Sequence, residues 1–128
     1  MCRMLLSINP EYVESILRGE KEYEYRKFRC REDVDKILIY ATAPQKQVVA
    51  EAEIAEIVED DVLAVWQQTK DRAGVSYPFF RKYYKGKKTA VAYRLKNLTV
   101  YDVPMSLQDI GVPCAPQSYR YLESFDAC

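Results

Sequence analysis

The sequence predicts an α+β fold in which a curved, mostly antiparallel sheet or small β-barrel carries flanking helices. Three observations favour this class. Strand and helix patterns are mixed along 128 residues, the long strands lie close to hairpin spacing, and they do not alternate with helices as in a doubly wound sheet. The length suits a single domain with one core, spanning residues 1–128.

The first predicted elements are a strand and a helix. Met4 to Ile8 is a short apolar run, typical of a buried strand. Asn9 is a favourable N-cap, Pro10 suits the first helical position, and Gly19 ends the helix. The apolar stripe of this helix is formed by Tyr12, Val13, Ile16 and Leu17.

A pair of long strands is predicted next. Residues 36–42 are a β-branched run, and residues 48–60 alternate apolar and polar side chains after a turn. The alternation changes phase at Ile54 and Ala55, which predicts a β-bulge there. A helix over the second segment is the alternative, because some of its apolar residues also fit a 3.6-residue period, but a strand is favoured.

The second half of the chain predicts two short helices and a long strand. Asp60 or Asp61 caps the first helix, and residues 76–86 form the second, which ends at Gly86. Residues 89–101 form the strand. Its inward side chains are predicted to be Val91, Tyr93 and Leu95, and its outward side chains Ala92, Arg94 and Lys96. One helical turn and an extended segment then follow.

Composition excludes several functional classes. Lys plus Arg equals Asp plus Glu, so the formal net charge is zero, and any nucleic-acid site must be a local basic patch. There is no histidine, which excludes Ser–His–Asp and Cys–His catalysis and His-ligated metal sites. Acid–base chemistry would therefore depend on Lys, Glu, Asp, Tyr or Cys.

The cysteines and the hydropathy pattern set further expectations. The four cysteines have no CxxC spacing, so we expect free thiols in a reducing compartment, no metal and no cofactor. They are Cys2, Cys30, Cys114 and Cys128. No apolar run suits a membrane span and the N-terminus lacks a signal-peptide pattern, so we expect a cytoplasmic protein without a membrane partner.

The segment GEKEYEYRKFR, residues 19–29, is the main candidate site. As a strand it would turn Tyr23 and Tyr25 towards the core and place Glu24 and Arg26 side by side on the other face. Lys21, at the helix exit, would reach across the strand. The alternative interpretation is an exposed strand face whose charges form weak surface ion pairs.

The octet GEKEYEYR resembles the G-x-K-x-x-E-x-R signature of ASCH domains, a branch of the PUA-like superfamily. LLSINPEYVESILRGEK resembles the opening strand and helix of that family, ILIYATAPQKQVVAEAEI its central strand pair, and APQSYRYL its closing segment. The resemblance covers most of the chain in the right order. It implies a small β-barrel with flanking helices and a cleft lined by the signature strand.

The resemblance also implies two kinds of function. Most members are thought to bind RNA or another nucleic acid, often as regulators, whereas some small relatives are amidohydrolases that remove the acyl group from N4-acetylcytidine. A lysine, a threonine and a glutamate are the proposed catalytic set there. This chain keeps the lysine as Lys21 but has Glu24 in place of the threonine, which argues against the same hydrolysis. If the protein is an enzyme, Lys21 and Glu24 are the catalytic candidates.

We therefore expect a binding module for RNA or a modified nucleoside, with a regulatory role as in the family. The alternatives are an amidohydrolase acting on N4-acylated cytidine and a protein-interaction module. Lys21 and Arg26 would contact phosphate or a base edge, and Glu24 would accept from an exocyclic amine. Further residues expected at the same cleft are Tyr40 and Thr42, on what would be the adjacent strand, and Gln117, Ser118, Tyr119 and Arg120.

A second basic segment, RKYYKGKK, combines cations with aromatic rings. Its basic residues are Arg81, Lys82, Lys85, Lys87 and Lys88, which flank Tyr83 and Tyr84. This pattern is typical of a surface that follows a phosphate backbone. The alternative is a solvated helix end, since basic residues favour helix C-termini.

Overall fold

The structure, a computed structural model, describes residues 2–123. Cys128 lies outside the described residues. The strands are β1 (Cys2–Ile8), β2 (Tyr23–Arg26), β3 (Val34–Ala41), β4 (Gln47–Asp61), β5 (Thr89–Met105) and β6 (Tyr119–Glu123). The helices are α1 (Pro10–Leu17), α2 (Val62–Thr69) and α3 (Tyr77–Tyr83), with short 3₁₀ turns at Lys70–Arg72 and Gln108–Ile110. Within residues 2–123, no helix is long and apolar enough to cross a bilayer.

All six strands form one mixed sheet in the order β2-β5-β4-β3-β1-β6. β1 and β3 are parallel and the other pairs are antiparallel. The predicted α+β class and mostly antiparallel sheet are confirmed. The strand order is open, with β2 and β6 at its edges in the described part of the chain, so a closed barrel is not confirmed.

Side chains connect the two edges of this open sheet. Arg26 of β2 donates to both the carbonyl and the hydroxyl oxygen of Ser118, which immediately precedes β6. The rings of Phe28 and Tyr119 stack with centroids 4.0 Å apart and planes 22° apart. The sheet is therefore curved strongly enough for its edge strands to meet through side chains, without a backbone ladder between them.

Three apolar clusters form the core, and two of them hold the helices on the sheet. The largest includes Val13 and Ile16 of α1 together with residues of β1, β3 and β5. Another includes Val65 of α2 and Phe80 of α3, which pack on β2 and β5. The remaining cluster lies around Tyr40 and Ile110. The site described below lies where α1, β2 and α3 come together.

Local patterns predicted the element ends well. Pro10 begins α1, and the side chain of Asn9 accepts from the Glu11 amide at 3.3 Å. Gly19 has φ 78°, the left-handed conformation that ends the helix. Asp61 caps α2 by accepting from the Ala64 amide at 3.1 Å.

The predicted bulge and strand in the middle of the chain are confirmed. Residues 47–61 form a strand and not the alternative helix. The register between β4 and β5 shifts between Ile54 and Glu56, which leaves Ala55 as the extra residue.

Two predictions about side-chain placement are wrong. Ala92 was expected to face outward, but it is fully buried because α2 and α3 cover that face of β5. The strand that carries Tyr40 was expected next to residues 21–28. β2 instead pairs with β5, and β3 lies between β4 and β1.

Candidate functional site

A cavity of about 180 Å³ opens between the start of α1, β2 and α3. The predicted residues Lys21, Glu24 and Arg26 all line it. Sequence reasoning missed further polar and aromatic residues of the wall, namely Ser7, Asn9, Tyr12, Phe79 and Tyr83.

The three charged side chains are buried. Lys21 is 3% exposed, and Glu24 and Arg26 are each 7% exposed. The alternative interpretation, a solvated strand face with weak surface pairs, is therefore wrong. Buried charges require partners because their transfer from water is costly, so the contacts of each define what it can do.

Arg26 is held entirely by the protein. Its Nε donates to Oε2 of Glu24 at 3.0 Å, and one terminal nitrogen, Nη2, forms an ion pair with the same oxygen at 2.8 Å. Nη2 also donates to the Ser7 carbonyl at 2.9 Å, and Nη1 donates to the carbonyl and hydroxyl oxygens of Ser118. All three nitrogens of the guanidinium thus have partners within the protein. Arg26 therefore fixes Glu24 in place.

Glu24 has one oxygen left. Both contacts from Arg26 go to Oε2, and Oε1 accepts no hydrogen bond from residues 2–123. Because Glu24 lines the cavity, its carboxylate is a fixed acceptor for an N–H group that enters. An ionised carboxylate accepts hydrogen bonds and donates none.

Lys21 lines the cavity and is anchored at one point by a hydrogen bond. Its Nζ donates to the Ala73 carbonyl at 2.8 Å, and it lies 4.9 Å from the centre of the Tyr25 ring and 5.8 Å from that of Tyr12. Burial lowers the pKa of Lys21; the carboxylate of Glu24 opposes this shift and the Arg26 guanidinium adds to it. An ammonium has three donors, so two remain for a ligand.

The loop between α2 and α3 packs directly on the stem of Lys21. Gly74 has φ 68°, and a Cβ placed there would lie 2.4 Å from Cβ and 2.5 Å from Cγ of Lys21. The Arg72 carbonyl also accepts from the Glu22 amide at 2.9 Å. Residues 72–74 thus form a strap that fixes the course of the lysine, and only glycine fits at its centre.

The aromatic wall has a buried part and an exposed part. The hydroxyl of Tyr25 bonds to that of Thr69 at 2.7 Å, and burial raises the pKa of Tyr25 to about 12. Tyr25 is therefore neutral at physiological pH. Phe79 and Tyr83 of α3 form the outer wall, and Phe79 is 43% exposed. The cavity thus combines a planar apolar wall with a cation and a carboxylate.

The structure places the other predicted lining residues outside the cavity wall. Tyr40 is buried in the cluster around Ile110. Thr42 is half-buried, and its amide donates to the carbonyl of Ile8, which does line the cavity. Both residues belong to β3 or the turn after it, which the sheet order separates from β2.

Segment 117–120 reaches the site only indirectly. Ser118 holds Arg26, as described above, whereas Tyr119 stacks on Phe28. Gln117 and Arg120 are exposed. None of the four lines the cavity. The segment therefore contributes to the site only through the contacts of Ser118 with Arg26.

The basic segment of residues 81–88 lies beside the site. The exposed end of α3 and the turn after it carry Arg81, Lys82, Lys85, Lys87 and Lys88. The same helix supplies Phe79 and Tyr83 to the cavity. This placement is compatible with both predicted roles, the phosphate-binding patch and the solvated helix end. In residues 2–123, no three potential ligands among Cys, Asp and Glu converge on a metal-binding position.

The missed wall residues had weak signals in the sequence. Tyr12 was assigned to the apolar stripe of α1, and its position one turn after the N-cap gave no hint that it would meet Lys21. Phe79 belongs to the pair Phe79–Phe80, of which only Phe80 points into the core. Nothing local predicts that α3 packs beside β2, since this contact joins segments more than 50 residues apart.

The ASCH domain family model matches residues 6–102 of the chain. A protein of Zymomonas mobilis named ASCH domain-containing ribonuclease is 32% identical over 94 residues. The large ribosomal subunit protein uL22 of Ureaplasma parvum is 24% identical over 121 residues. These alignments cover 73% and 94% of this chain, but only 64% and 39% of the respective relatives. The chain therefore spans less than two thirds of the length of these curated proteins.

The crystal structure of ASCH from Zymomonas mobilis has a similar fold. It superposes with a TM-score of 0.87 at 29% identity, over 97% of this chain and 90% of that one. Structures of two point mutants of the same protein match equally well, with TM-scores of 0.86 and 0.87.

Proposed function

The chain belongs to the ASCH domain family, and from that premise we propose that it binds RNA by holding one unstacked nucleotide in the cavity around Lys21, Glu24 and Arg26. The RNA-related function rests on the name of the Zymomonas relative, a ribonuclease. The observation that supports the site is the buried Glu24–Arg26 pair, which presents one carboxylate oxygen at the cavity wall.

The three charged residues have different roles in this proposal. Glu24 accepts from an N–H of the base edge, as carboxylates do with the amino group of cytosine. Lys21 donates to a phosphate or a base carbonyl with its two remaining N–H groups. Arg26 holds Glu24 in place and does not contact the ligand in this proposal, because each of its three guanidinium nitrogens already has a partner within the protein.

A base separated from its neighbours fits the shape of this cavity better than a duplex does. The volume of about 180 Å³ suits one planar group, and the rings of Tyr25 and Tyr83 in the cavity wall give it stacking partners. Recognition of RNA bases through stacking and edge contacts requires that they leave the helical stack.

The test is RNA binding by matched pairs of variants, measured by fluorescence anisotropy with a labelled single-stranded RNA of mixed sequence. Glu24→Gln removes the fixed carboxylate and should weaken binding roughly 10-fold or more, the value of one good base contact. Lys21→Ala should weaken it similarly and lower the salt dependence of the affinity.

The control variants change the same residue types outside the cavity. Glu56 forms an exposed ion pair with Arg94, and Lys36 forms a partly exposed one with Glu51. Glu56→Gln and Lys36→Ala should leave the affinity within about 2-fold, since such pairs contribute little. Equal effects of cavity and control variants would contradict the proposed site.

RNA cleavage at the same site is a second candidate, favoured by the lowered pKa of Lys21. A neutral amine there accepts the proton of a ribose 2′-hydroxyl, whose oxygen attacks the adjacent phosphorus. The bond to the 5′-oxygen breaks, and solvent protonates that oxygen. The products are a 2′,3′-cyclic phosphate and a 5′-hydroxyl end, which gel electrophoresis and mass spectrometry detect.

The dependence on pH separates these two functions. The pKa of Lys21 lies below its ordinary value of 10.5, so the ammonium is lost at a lower pH than in a free lysine. Binding through the ammonium therefore weakens as pH rises through that lowered pKa, whereas cleavage by the amine accelerates over the same range. Lys21→Arg keeps the charge at high pH, so it should preserve binding and abolish cleavage.

The remaining alternatives are separate outcomes of the same assays. An amidohydrolase would release cytidine from N4-acetylcytidine in a manner abolished by Lys21→Ala. This reaction has less support, because Arg26 holds the carboxylate that stands where the amidohydrolase relatives are expected to have a threonine. A protein-interaction module would show neither turnover nor any response to RNA.

A further inference from the structure

α3 presents an aromatic ring at the mouth of the cavity. Phe80, on the inner side of the helix, is 1% exposed and contacts the rings of Tyr25, Trp66 and Tyr84. This contact fixes the helix on the sheet. Phe79, its neighbour, lines the cavity yet remains 43% exposed. The ring is thus at the boundary between the cavity and solvent.

Neighbouring rings hold Phe79 in a defined orientation. Tyr83, one turn later, lies nearly parallel to it, with planes 9° and centroids 6.4 Å apart. Tyr12 packs against it at 5.4 Å with a tilt of 50°. A ring supported on these sides loses little freedom when a further planar group stacks on its open surface, which favours binding there.

Two lysine side chains lie near the exposed ring of Phe79. The Nζ of Lys27 lies 4.6 Å from the centre of the Tyr83 ring. Lys82 is exposed and lies three residues after Phe79, hence on the same side of the helix. The chain as a whole has zero formal net charge, so these lysines are a local concentration of positive charge next to an exposed ring.

We propose that Phe79 is a second nucleotide subsite, in which the base next to the one in the cavity stacks on its ring while Lys27 and Lys82 bind the linking phosphate. This inference rests on the proposed RNA-binding function and adds the path of the strand, which leaves the cavity over α3. A planar ring beside lysines is the arrangement that binds consecutive nucleotides of a single strand.

Exposure of an aromatic side chain alone does not make a binding site, and α3 provides a matched comparison. Tyr77 is 39% exposed on the same helix. Its ring packs on Trp66 at 5.2 Å and does not line the cavity. Tyr77→Ala therefore removes a similar exposed ring from the same element without touching the proposed subsite.

The experiment compares RNA ligands of one and two nucleotides. The affinities of the four ribonucleoside 5′-monophosphates are measured by NMR titration. The mononucleotide that binds most tightly is then extended by one nucleotide, on its 5′ side or on its 3′ side. The added nucleotide either carries a base or is abasic. Phe79→Ala should weaken the intact dinucleotide by roughly 5- to 150-fold, the range for loss of one stacked base. The mononucleotide and the abasic dinucleotide, which lack the second base, should lose several-fold less affinity than the intact dinucleotide does.

Any other result contradicts either the second subsite or the proposed RNA-binding function on which it rests. If Phe79→Ala weakens the mononucleotide and the dinucleotide equally, Phe79 is only a wall of the cavity and the second subsite is contradicted. If Tyr77→Ala weakens the dinucleotide as much as Phe79→Ala does, the effect is not specific and the subsite is again contradicted. If the wild-type protein binds none of the ligands, the proposed function itself is wrong and the subsite falls with it.

A second variant tests whether misfolding explains the effect of Phe79→Ala. Phe79→Leu keeps an apolar side chain of similar size against Tyr12 and Tyr83 but removes the aromatic face. It should also weaken the intact dinucleotide selectively. An unchanged affinity in Phe79→Leu would show that apolar contact suffices, and this result would overturn the stacking role.

Discussion

At the scale of single residues, the site depends on two neighbouring charged side chains that differ in how far the protein satisfies their hydrogen-bonding groups. Every guanidinium nitrogen of Arg26 has a partner within the protein, whereas Glu24 keeps one oxygen for the cavity. The spacing of these residues on one strand predicted that they lie side by side, where they could either pair or jointly contact a ligand. It did not predict how many contacts Arg26 makes within the protein, because its partners Ser7 and Ser118 belong to segments that are distant in sequence.

Gly74 offers a test of the strap that positions Lys21. Gly74→Ala would bring a Cβ within 2.4 Å of Cβ of Lys21, so the strap or the lysine must move. We expect it to destabilise the protein by about 1–3 kcal/mol more than a glycine substitution at an open site. RNA affinity should also fall, because Lys21 is displaced. Chemical denaturation and anisotropy measure the two effects.

Gly111 is the matched control for this substitution. It also has positive φ, 76°, but a Cβ placed there meets no heavy atom within 4 Å. Gly111→Ala therefore reports the backbone strain alone, with RNA affinity retained. If both variants lose the same stability and bind RNA equally well, the strap does not position Lys21.

At the scale of elements, the sequence was informative where a pattern is local. The caps at Asn9 and Asp61 and the bulge at Ala55 follow from residue types within a few positions of each other. The parallel pairing of β1 with β3 and the pairing of β2 with β5 do not. Such pairings depend on which apolar faces meet in three dimensions, as the buried Ala92 illustrates.

The candidate site was likewise predictable only where the pattern is local. Lys21, Glu24 and Arg26 were found from one octet, since a strand places Glu24 and Arg26 on one face and Lys21 lies just before that strand. The aromatic wall was not, because Phe79 and Tyr83 reach the cavity only through the packing of α3 on β2 and β5. Tyr40 was placed at the site on the assumption that β3 lies beside β2, which the sheet order contradicts.

Tyr84 links α3 to the strand that carries the site, and this link makes a testable prediction. The Tyr84 hydroxyl donates to the Arg26 carbonyl at 2.7 Å and lies 3.2 Å from that of Val91. Tyr84→Phe should cost about 1–3 kcal/mol, because it leaves a buried carbonyl without its donor. Amide hydrogen exchange in β2 should accelerate as the edge strand loosens.

Tyr121→Phe is the control for this element. Its hydroxyl accepts from the exposed Arg31 amide at 3.2 Å, where water can replace it, so stability should change by less than about 1 kcal/mol. Equal losses in the two variants, with unchanged exchange in β2, would mean that α3 does not hold the strand.

At the scale of the whole molecule, the fold concentrates the features of a ligand site in a chain without net charge. The open sheet curves until its edges meet at Arg26, and α1 and α3 close over the end of β2. Buried charge, a cavity and an exposed aromatic rim therefore coincide in one region. Away from the site and the basic segment of residues 81–88, exposed ion pairs such as that of Arg94 with Glu56 contribute little.

The central claim is that RNA enters this cavity, and NMR mapping tests it most directly. Backbone amide resonances are assigned and followed as a short single-stranded RNA is added. We expect the largest shifts at Lys21, Glu24, Phe79 and Tyr83, with little change at Lys36 or Glu56. Shifts that spare the cavity and cluster elsewhere, or a spectrum that RNA leaves unchanged, would contradict the claim.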